Sequence, residues 1–112
     1  MSFNQIMLIL LTVVLLSVGQ VLFKLAAVDM KNIDVSSLLQ PKLILALCIY
    51  VIGTILWIAV LRHTPLSISY PFLGLAYLIV PVLSWCYVGE QISLNTILGG
   101  VAILIGIWIS VS

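Results

Sequence analysis

Four long runs of the chain contain no charged residue and are almost continuously apolar. They cover residues 1–23, 43–61, 64–89 and 91–112. A helix needs about 20 mainly apolar residues to cross a bilayer, because the hydrocarbon core is roughly 30 Å thick and each helical residue rises ~1.5 Å. The pattern therefore predicts four membrane-spanning helices, at about residues 3–27, 41–61, 66–88 and 94–111.

The segments between these runs are short. Residues 62–65 and 89–93 form tight connections, and residues 28–40 hold the longest polar stretch. Short links make successive helices antiparallel neighbours, and continuous apolar runs exclude the alternating strands of an outer-membrane barrel. The sequence predicts an all-α membrane protein, a compact antiparallel bundle of four transmembrane helices that forms one unit over residues 1–112. The first run lacks a basic segment before it, so we expect a retained helix rather than a signal peptide.

Composition excludes several classes of protein. The 112 residues are 64% hydrophobic and 6% charged, whereas a soluble domain is roughly 25% charged. A net charge of +1 with scattered basic residues provides no phosphate-tracking patch, which excludes nucleic acid as a partner. The chain has no GK[ST] loop, GxSxG, HExxH or carboxylate pair. We therefore expect neither an enzyme nor a cofactor or metal site.

The distribution of basic residues gives a weak indication of orientation. Lys24, Lys31 and Lys42 flank the first loop, whereas Arg62 alone marks the other side of the membrane. The positive-inside rule therefore favours a cytoplasmic first loop, with both termini outside. Insertion in both orientations is the alternative.

Three polar residues of the first predicted helix share one face. Ser17, Gln20 and Lys24 are spaced i, i+3, i+7, and polar groups within a span usually face protein or a water-filled cavity. One interpretation is structural: Lys24 extends to the membrane interface, and the other two bond to neighbouring helices. The other is functional: a polar stripe leads to an ammonium group suited to phosphate.

The third predicted helix combines a polar stripe with two prolines. Tyr70, Tyr77 and Ser84 follow each other at heptad spacing, and Pro71 and Pro81 interrupt the helix. A proline frees a backbone carbonyl, which in a membrane is tolerated only where protein or a cavity satisfies it. Broken helices often line transport sites. Pro71 is also compatible with simple placement in the first turn, whereas Pro81 lies in mid-helix.

Small residues mark one face of the fourth predicted helix. Gly99 and Gly106 are seven residues apart and share that face, where small side chains let helix backbones approach closely. Internal packing and dimerisation are both open explanations. Glu90 opens the preceding connection and is expected to be solvated.

Three segments of the chain occur together in a recognisable order and spacing. They are residues 19–24, residues 64–71, and residues 89–93 followed by Gly99 and Gly106. Together they resemble the small multidrug resistance family, which belongs to the drug/metabolite transporter superfamily. The resemblance covers nearly the whole chain. It implies a four-helix subunit that works as a dimer, with a substrate chamber formed by the first three helices and dimer contacts through the fourth.

Two positions depart from the drug exporters of that family. Leu16 stands where the exporters carry a glutamate that binds cations and couples to protons, and Leu73 stands where they carry a tryptophan. The Gly-Gln-x-x-x-Lys motif that ends at Lys24, the Tyr70-Pro71 pair and the longer first loop are more similar to another branch. That branch comprises small subunits proposed to flip aminoarabinose-phosphoundecaprenol across the inner membrane of Gram-negative bacteria.

This second resemblance implies a lipid-linked sugar or polyprenyl phosphate as the substrate, within the membrane lipid of the bacterial inner membrane. It also implies pairing as a homodimer or as a heterodimer with a related small subunit. By this resemblance Lys24 would meet the phosphate, Gly99 and Gly106 would lie at the dimer interface, and the residues near the sugar would be Ser17, Gln20, Tyr70 and Tyr77. Two other functions stay open: export of small cations or metabolites, and a non-transporting partner that stabilises an enzyme such as a glycosyltransferase.

Overall fold

The computed structural model describes residues 2–112 and contains four long helices. They are α1 (Phe3–Asp29), α3 (Pro41–His63), α4 (Leu66–Val88) and α5 (Leu94–Val111), with a short helix α2 (Val35–Leu38) in the first loop. Each of the four long helices is apolar and long enough to cross a membrane. The predicted all-α membrane fold with four transmembrane helices is confirmed.

Polar side chains cap α1 and α5 where they begin, whereas α3 and α4 begin without a side-chain cap. The Ser2 hydroxyl accepts a hydrogen bond from the backbone N–H of Gln5 at 3.3 Å, and Gln5 Oε1 accepts one from the N–H of Ser2 at 3.1 Å. Pro41 opens α3, and Ser93 Oγ accepts from the N–H of Thr96 at 3.2 Å at the start of α5. The Ser2 and Ser93 caps satisfy N–H groups that a helix leaves unpaired, and Pro41 suits the first turn of α3 because it has no N–H to satisfy.

Helix α1 is the centre of the bundle. It packs against α3 on one side and α4 on the other, and α5 packs on α4. The close approach of α1 to α3 depends on Gly53, because a Cβ there would lie 2.8 Å from Leu16 Cδ2. The rings of Phe23 and Tyr50 also pack across this interface, with their centroids 5.9 Å apart. The molecule measures 46 × 35 × 18 Å, so it is a flat slab about two helices thick.

The buried core lies at one end of this slab. Ile9 and Val13 of α1, Val60 of α3, Phe72 of α4 and Ile107 of α5 form a single cluster. All of them lie in the halves of the helices nearest the two chain termini. Elsewhere most large apolar side chains are exposed, as expected where lipid is the solvent. The largest buried apolar side chains therefore cluster toward the end that carries the termini, while the smaller Val21, Ala26 and Ala46 are buried between α1 and its neighbours in the other half.

Helix α4 changes its helical form twice. Residues Tyr70–Leu75 form a 3₁₀ segment that includes Pro71, Ala76–Leu83 is α-helical around Pro81, and Ser84–Val88 forms a π-turn. Pro71 thus belongs to the 3₁₀ segment and not to the first turn. Each residue of a 3₁₀ helix turns about 120° around the helix axis, whereas each residue of an α-helix turns about 100°. Over this segment the difference rotates the start of α4 by roughly 100° relative to a continuous α-helix. Tyr70 therefore leaves the face predicted by the heptad spacing.

A single glycine ends α4. Gly89 has φ +85°, a left-handed conformation that glycine adopts without the penalty of a Cβ. The carbonyl of Ser84 accepts hydrogen bonds from the N–H groups of Gly89 at 3.0 Å and Glu90 at 3.4 Å. The chain thus turns sharply at Gly89, and the backbone of Glu90 is held against the end of α4.

The first loop is ordered by local hydrogen bonds around Asp34 and by a bond from Gln40 to α1. Asp34 caps α2, and its carboxylate accepts from the Ser37 N–H at 2.8 Å and the Ser36 hydroxyl at 3.0 Å. These bonds, that to Ser37 foremost, lower the pKa of Asp34 below its usual 3.8. Gln40 Nε2 donates to the carbonyl of Ala26 at 3.3 Å, which holds the loop against the end of α1.

Candidate functional site

A cavity lies toward the end of the bundle opposite the cluster around Ile9 and Phe72. It has a volume of about 430 Å³ and is enclosed by α1, α4, residues 89–93 and the start of α5. We call it the polar cavity, after the polar side chains that line it: Gln20, Lys24, Ser84, Glu90, Gln91 and Thr96. These residues lie toward the end of the helices that also carries the first loop.

Two residues of α1 contribute the first wall of the polar cavity. Gln20 and Lys24 are one helical turn apart and lie on the same face, as the sequence spacing predicts. Helix α1 continues to Asp29, so Lys24 lies five residues, or roughly 7.5 Å, before its end. Lys24 is deeper in the span than a helix ending near residue 27 would place it, yet its side chain is exposed to the cavity.

The opposite wall comes from the end of α4 and the turn that follows. Ser84 lies one turn after Pro81, and both line the cavity with Glu90. The one ion pair found within residues 2–112 joins Lys42 to Asp29, both outside the cavity. Lys24 and Glu90 therefore face the same space with opposite charges but do not pair with each other.

Two further cavities adjoin the polar one. A cavity of about 330 Å³ is lined by Gln20, Tyr77 and Pro81, and it shares Gln20 and Pro81 with the polar cavity. A groove of about 290 Å³ is almost entirely apolar; we call it the apolar groove, lined by Val18, Val21, Leu22, Leu25, Leu83 and Tyr87. Val21 also lines the polar cavity. A polar chamber and an apolar groove thus meet along one side of α1.

The structure separates the other two predicted substrate residues from these cavities. Ser17 is fully buried, and its hydroxyl donates to the carbonyl of Val13 at 2.7 Å, a bond that occupies its hydrogen within its own helix. Tyr70 is 61% exposed and is not among the residues that line the three cavities. Gln20 lines the polar cavity with Lys24 and the adjoining cavity with Tyr77, whereas Ser17 and Tyr70 line none of the three cavities.

The two glycines assigned to a dimer interface lie on the outer face of α5. A Cβ built on Gly99 or Gly106 would meet nothing within 4 Å. Gly100, by contrast, packs inward, where a Cβ would lie 2.1 Å from Leu78 Cδ2. Internal packing of α5 against α4 therefore depends on Gly100, and the face with Gly99 and Gly106 is open.

Sequence reasoning missed several polar residues of the cavity. Ser84 was recognised only as a member of the α4 stripe, and Gln91 and Thr96 carried no distinctive spacing. Glu90 is exposed, as expected for a solvated residue, but it also lines the cavity. One available signal was the rarity of charge: Glu90 is the only charged residue between positions 63 and 112.

Several known proteins are similar to this chain in sequence over nearly their whole length. No family model and no solved structure matches the chain. It is 38% identical over 104 residues to a protein of Aeromonas salmonicida (89% of this chain, 91% of the relative) and 36% identical over 105 residues to one of Aeromonas hydrophila (91% and 92%). A protein of Pectobacterium atrosepticum is 31% identical over 106 residues (92% and 94%).

These three relatives share one name. Each is described as a probable 4-amino-4-deoxy-L-arabinose-phosphoundecaprenol flippase subunit, ArnE. The similarity covers nearly the full length of both chains, and the resemblance drawn from the sequence motifs is confirmed by it. With its four apolar spans, this chain is a multi-pass protein of the bacterial inner membrane and belongs to the ArnE family of small flippase subunits.

Proposed function

We propose that this chain is a transporter subunit that moves a lipid-linked amino sugar, of the kind for which its relatives are named, across the bacterial inner membrane. The observation that carries the proposal is the polar cavity, in which Gln20 and Lys24 of α1 face Ser84 and Glu90 across the bundle. Its volume of about 430 Å³ lies within the usual range for small-molecule sites, about 300–1,000 Å³. A headgroup, but not a polyprenyl tail, fits such a space.

The chemistry of the walls matches the parts of such a lipid. Lys24 provides an ammonium for the phosphate. Gln20, Ser84 and Thr96 provide amide and hydroxyl groups for sugar hydroxyls, and Tyr77 extends this lining into the adjoining cavity. The apolar groove lets the hydrocarbon chain stay in an apolar environment while the headgroup is bound.

Ser17 and Tyr70 take other roles in this proposal. The Ser17 hydroxyl is already bonded to the Val13 carbonyl, so Ser17 supports the packing of α1 and does not contact the sugar. Tyr70 lies away from the three cavities and is available to a partner chain or to lipid. The substrate contacts therefore fall to Gln20, Lys24 and Tyr77 among the residues chosen from the sequence.

A second subunit completes the transporter. The relatives are named as subunits, and a slab 18 Å thick offers little protein to enclose a headgroup on all sides. We propose a homodimer, or a heterodimer with a related small subunit, that forms through the α5 face of Gly99 and Gly106. The open surroundings of both glycines support close helix contact there.

Export of drug cations is not favoured. Leu16, which stands at the position of the exporter glutamate, packs against Gly53 of α3 and supplies neither a counter-charge nor a proton. The three acidic residues of the chain, Asp29, Asp34 and Glu90, lie at a helix end or in connections. A purely structural partner would have no need of a polar cavity, so the cavity favours transport.

The test is a flipping assay in liposomes. A labelled polyprenyl-phosphate amino sugar is placed in one leaflet, and its appearance in the other is measured with this chain alone and with a related small subunit. We expect flipping above that of empty liposomes, and no release of protons when quaternary ammonium drugs are added. Absence of flipping in both preparations, or drug-driven proton release, contradicts the proposal.

A further inference from the structure

We infer that Glu90 binds the protonated amino group of the sugar, so that Lys24 and Glu90 together select a headgroup carrying both an anion and a cation. This inference rests on the proposed function, since it assigns the second charge of the same cavity. The relatives' name specifies an amino sugar and a phosphate. A primary amine is cationic at neutral pH, so the headgroup of such a lipid carries one charge of each sign.

The backbone around Glu90 determines where its side chain lies. The left-handed turn at Gly89 (φ +85°) reverses the chain at the end of α4, and the N–H of Glu90 donates to the Ser84 carbonyl at 3.4 Å. These two features hold Glu90 beside Ser84 on the cavity wall. A carboxylate on a flexible connection would be free to point into water, whereas this one is attached to a fixed turn.

The polar cavity is lined by one charge of each sign. Lys24 comes from α1 and Glu90 from the far end of α4, and no ion pair joins them in the part of the chain that the structure describes. Val80, Val88 and Ile92 provide apolar wall between polar groups, where the effective dielectric is lower than in water and charge interactions are stronger. A headgroup with a phosphate and an ammonium satisfies both side chains at once.

A headgroup with only one charge gains less from this cavity. An uncharged sugar on the same phosphate would satisfy Lys24 but leave the Glu90 carboxylate, which lines the same cavity, without a partner on the ligand. Leaving one member of a charged pair unsatisfied is what gives a site selectivity against a close analogue. The cavity therefore discriminates by the charge on the sugar nitrogen, in addition to the phosphate that all such lipids share.

The experiment compares two lipids that differ at one nitrogen. Liposomes contain this chain with its small-subunit partner and either the amino-sugar lipid or its N-acetylated form, which has no positive charge. Wild-type protein should flip the amino-sugar lipid about tenfold or more faster, because hydrogen bonds between charged groups are strong. Glu90→Gln should lose that advantage and flip the N-acetylated lipid at the wild-type rate.

A matched control is available on the same side of the membrane. Asp29→Asn also removes one carboxylate, but Asp29 pairs with Lys42 and does not line the cavity, so the preference between the two lipids should stay unchanged. The preference of the wild-type protein for the amino-sugar lipid over its N-acetylated form is a test that needs no variant. It therefore still applies if Glu90→Gln fails to fold.

The possible failures can be told apart. If wild-type protein flips neither lipid, the proposed function is wrong and this inference with it. If it flips both at equal rates, or if Glu90→Gln slows both equally, the transporter stands and the role of Glu90 is overturned.

Discussion

At the scale of single residues, Lys24 offers the most direct test of an anionic substrate. Lys24→Gln leaves a partly desolvated phosphate without its partner, a loss of roughly 1.5–3 kcal/mol, or about tenfold or more in affinity. Lys24→Arg keeps the charge and should retain much of the activity. Flipping rates at equal membrane abundance should rank wild type, then Lys24→Arg, then Lys24→Gln.

Lys42 is the matched control for this series. It lies on the same side of the membrane, but it pairs with Asp29 and does not line the polar cavity. Exposed ion pairs contribute little, so Lys42→Gln should flip lipid at the wild-type rate. Equal rates for Lys24→Gln and wild type would mean that Lys24 only anchors α1 at the interface.

The cavity-lining residues that the sequence predicts are those recognisable from their spacing along a single helix. Gln20 and Lys24 were recognisable because polar side chains one turn apart stand out in an apolar run. Glu90 was assigned to solvent because nothing in its neighbours shows that α4 ends in a turn that lines a cavity. The hydrogen bond from the Ser17 hydroxyl to the Val13 carbonyl is not predictable from the sequence either. A serine bonded within its own helix and a serine that contacts substrate have the same sequence pattern.

At the scale of elements, the end of α4 depends on Gly89. Its φ of +85° is unfavourable for other residues, although a Cβ there would meet nothing within 4 Å, so any effect of substitution is conformational. Gly89→Ala should cost about 1 kcal/mol and slow flipping by displacing Glu90. Gly89→Asn should cost less, because asparagine tolerates this conformation. Thermal unfolding and flipping rates measure both effects, and equal behaviour of the two variants contradicts the account.

Neighbouring glycines of α5 should respond in opposite ways to the same change. Gly100→Ala places a methyl group where Leu78 lies, an overpacking that typically costs about 1–3 kcal/mol. Gly99→Ala adds a methyl group in open space and improves helix propensity. Thermal unfolding in detergent should therefore show a lower midpoint for Gly100→Ala and no loss for Gly99→Ala. The reverse order would mean that α5 packs through its other face.

Sequence patterns specify the elements better than their internal form. The spans are predictable because length and hydropathy are set by the bilayer, and the cap at Ser93 and the first-turn proline Pro41 follow local rules. The 3₁₀ segment Tyr70–Leu75 is not predictable in this way. It depends on Pro71 and on packing of α4 against α5, and it rotates Tyr70 away from the face that the heptad spacing assigned to it.

At the scale of the whole molecule, the two ends of the bundle differ. One end holds the buried cluster around Ile9, Phe72 and Ile107, and the other holds the polar cavity. Because the polar cavity lies toward one end of the helices, its lining residues are nearer one side of the membrane than the other. A second chain, packed through α5, can supply the missing wall, so the assembly decides whether a headgroup is enclosed.

The final prediction concerns that assembly. Gly106→Leu puts a large side chain on the open face of α5, where a partner backbone would approach. Such overpacking costs about 1–3 kcal/mol, so dimerisation should weaken about tenfold while membrane insertion and the fold of the single chain are kept. Cross-linking in membranes and light scattering in detergent measure the dimer, and flipping should fall in parallel.

Cys48→Leu is the control for added bulk. Cys48 is exposed on α3, which packs against α1, whereas α5 packs on α4, so its enlargement should leave dimerisation and flipping unchanged. A wild-type chain that flips lipid as a monomer, or a Gly106→Leu variant that dimerises normally, would show that α5 does not form the interface. In that case the open face with Gly99 and Gly106 faces lipid, and the cavity must be closed by another surface, with α3 the first candidate because its outer side is also exposed.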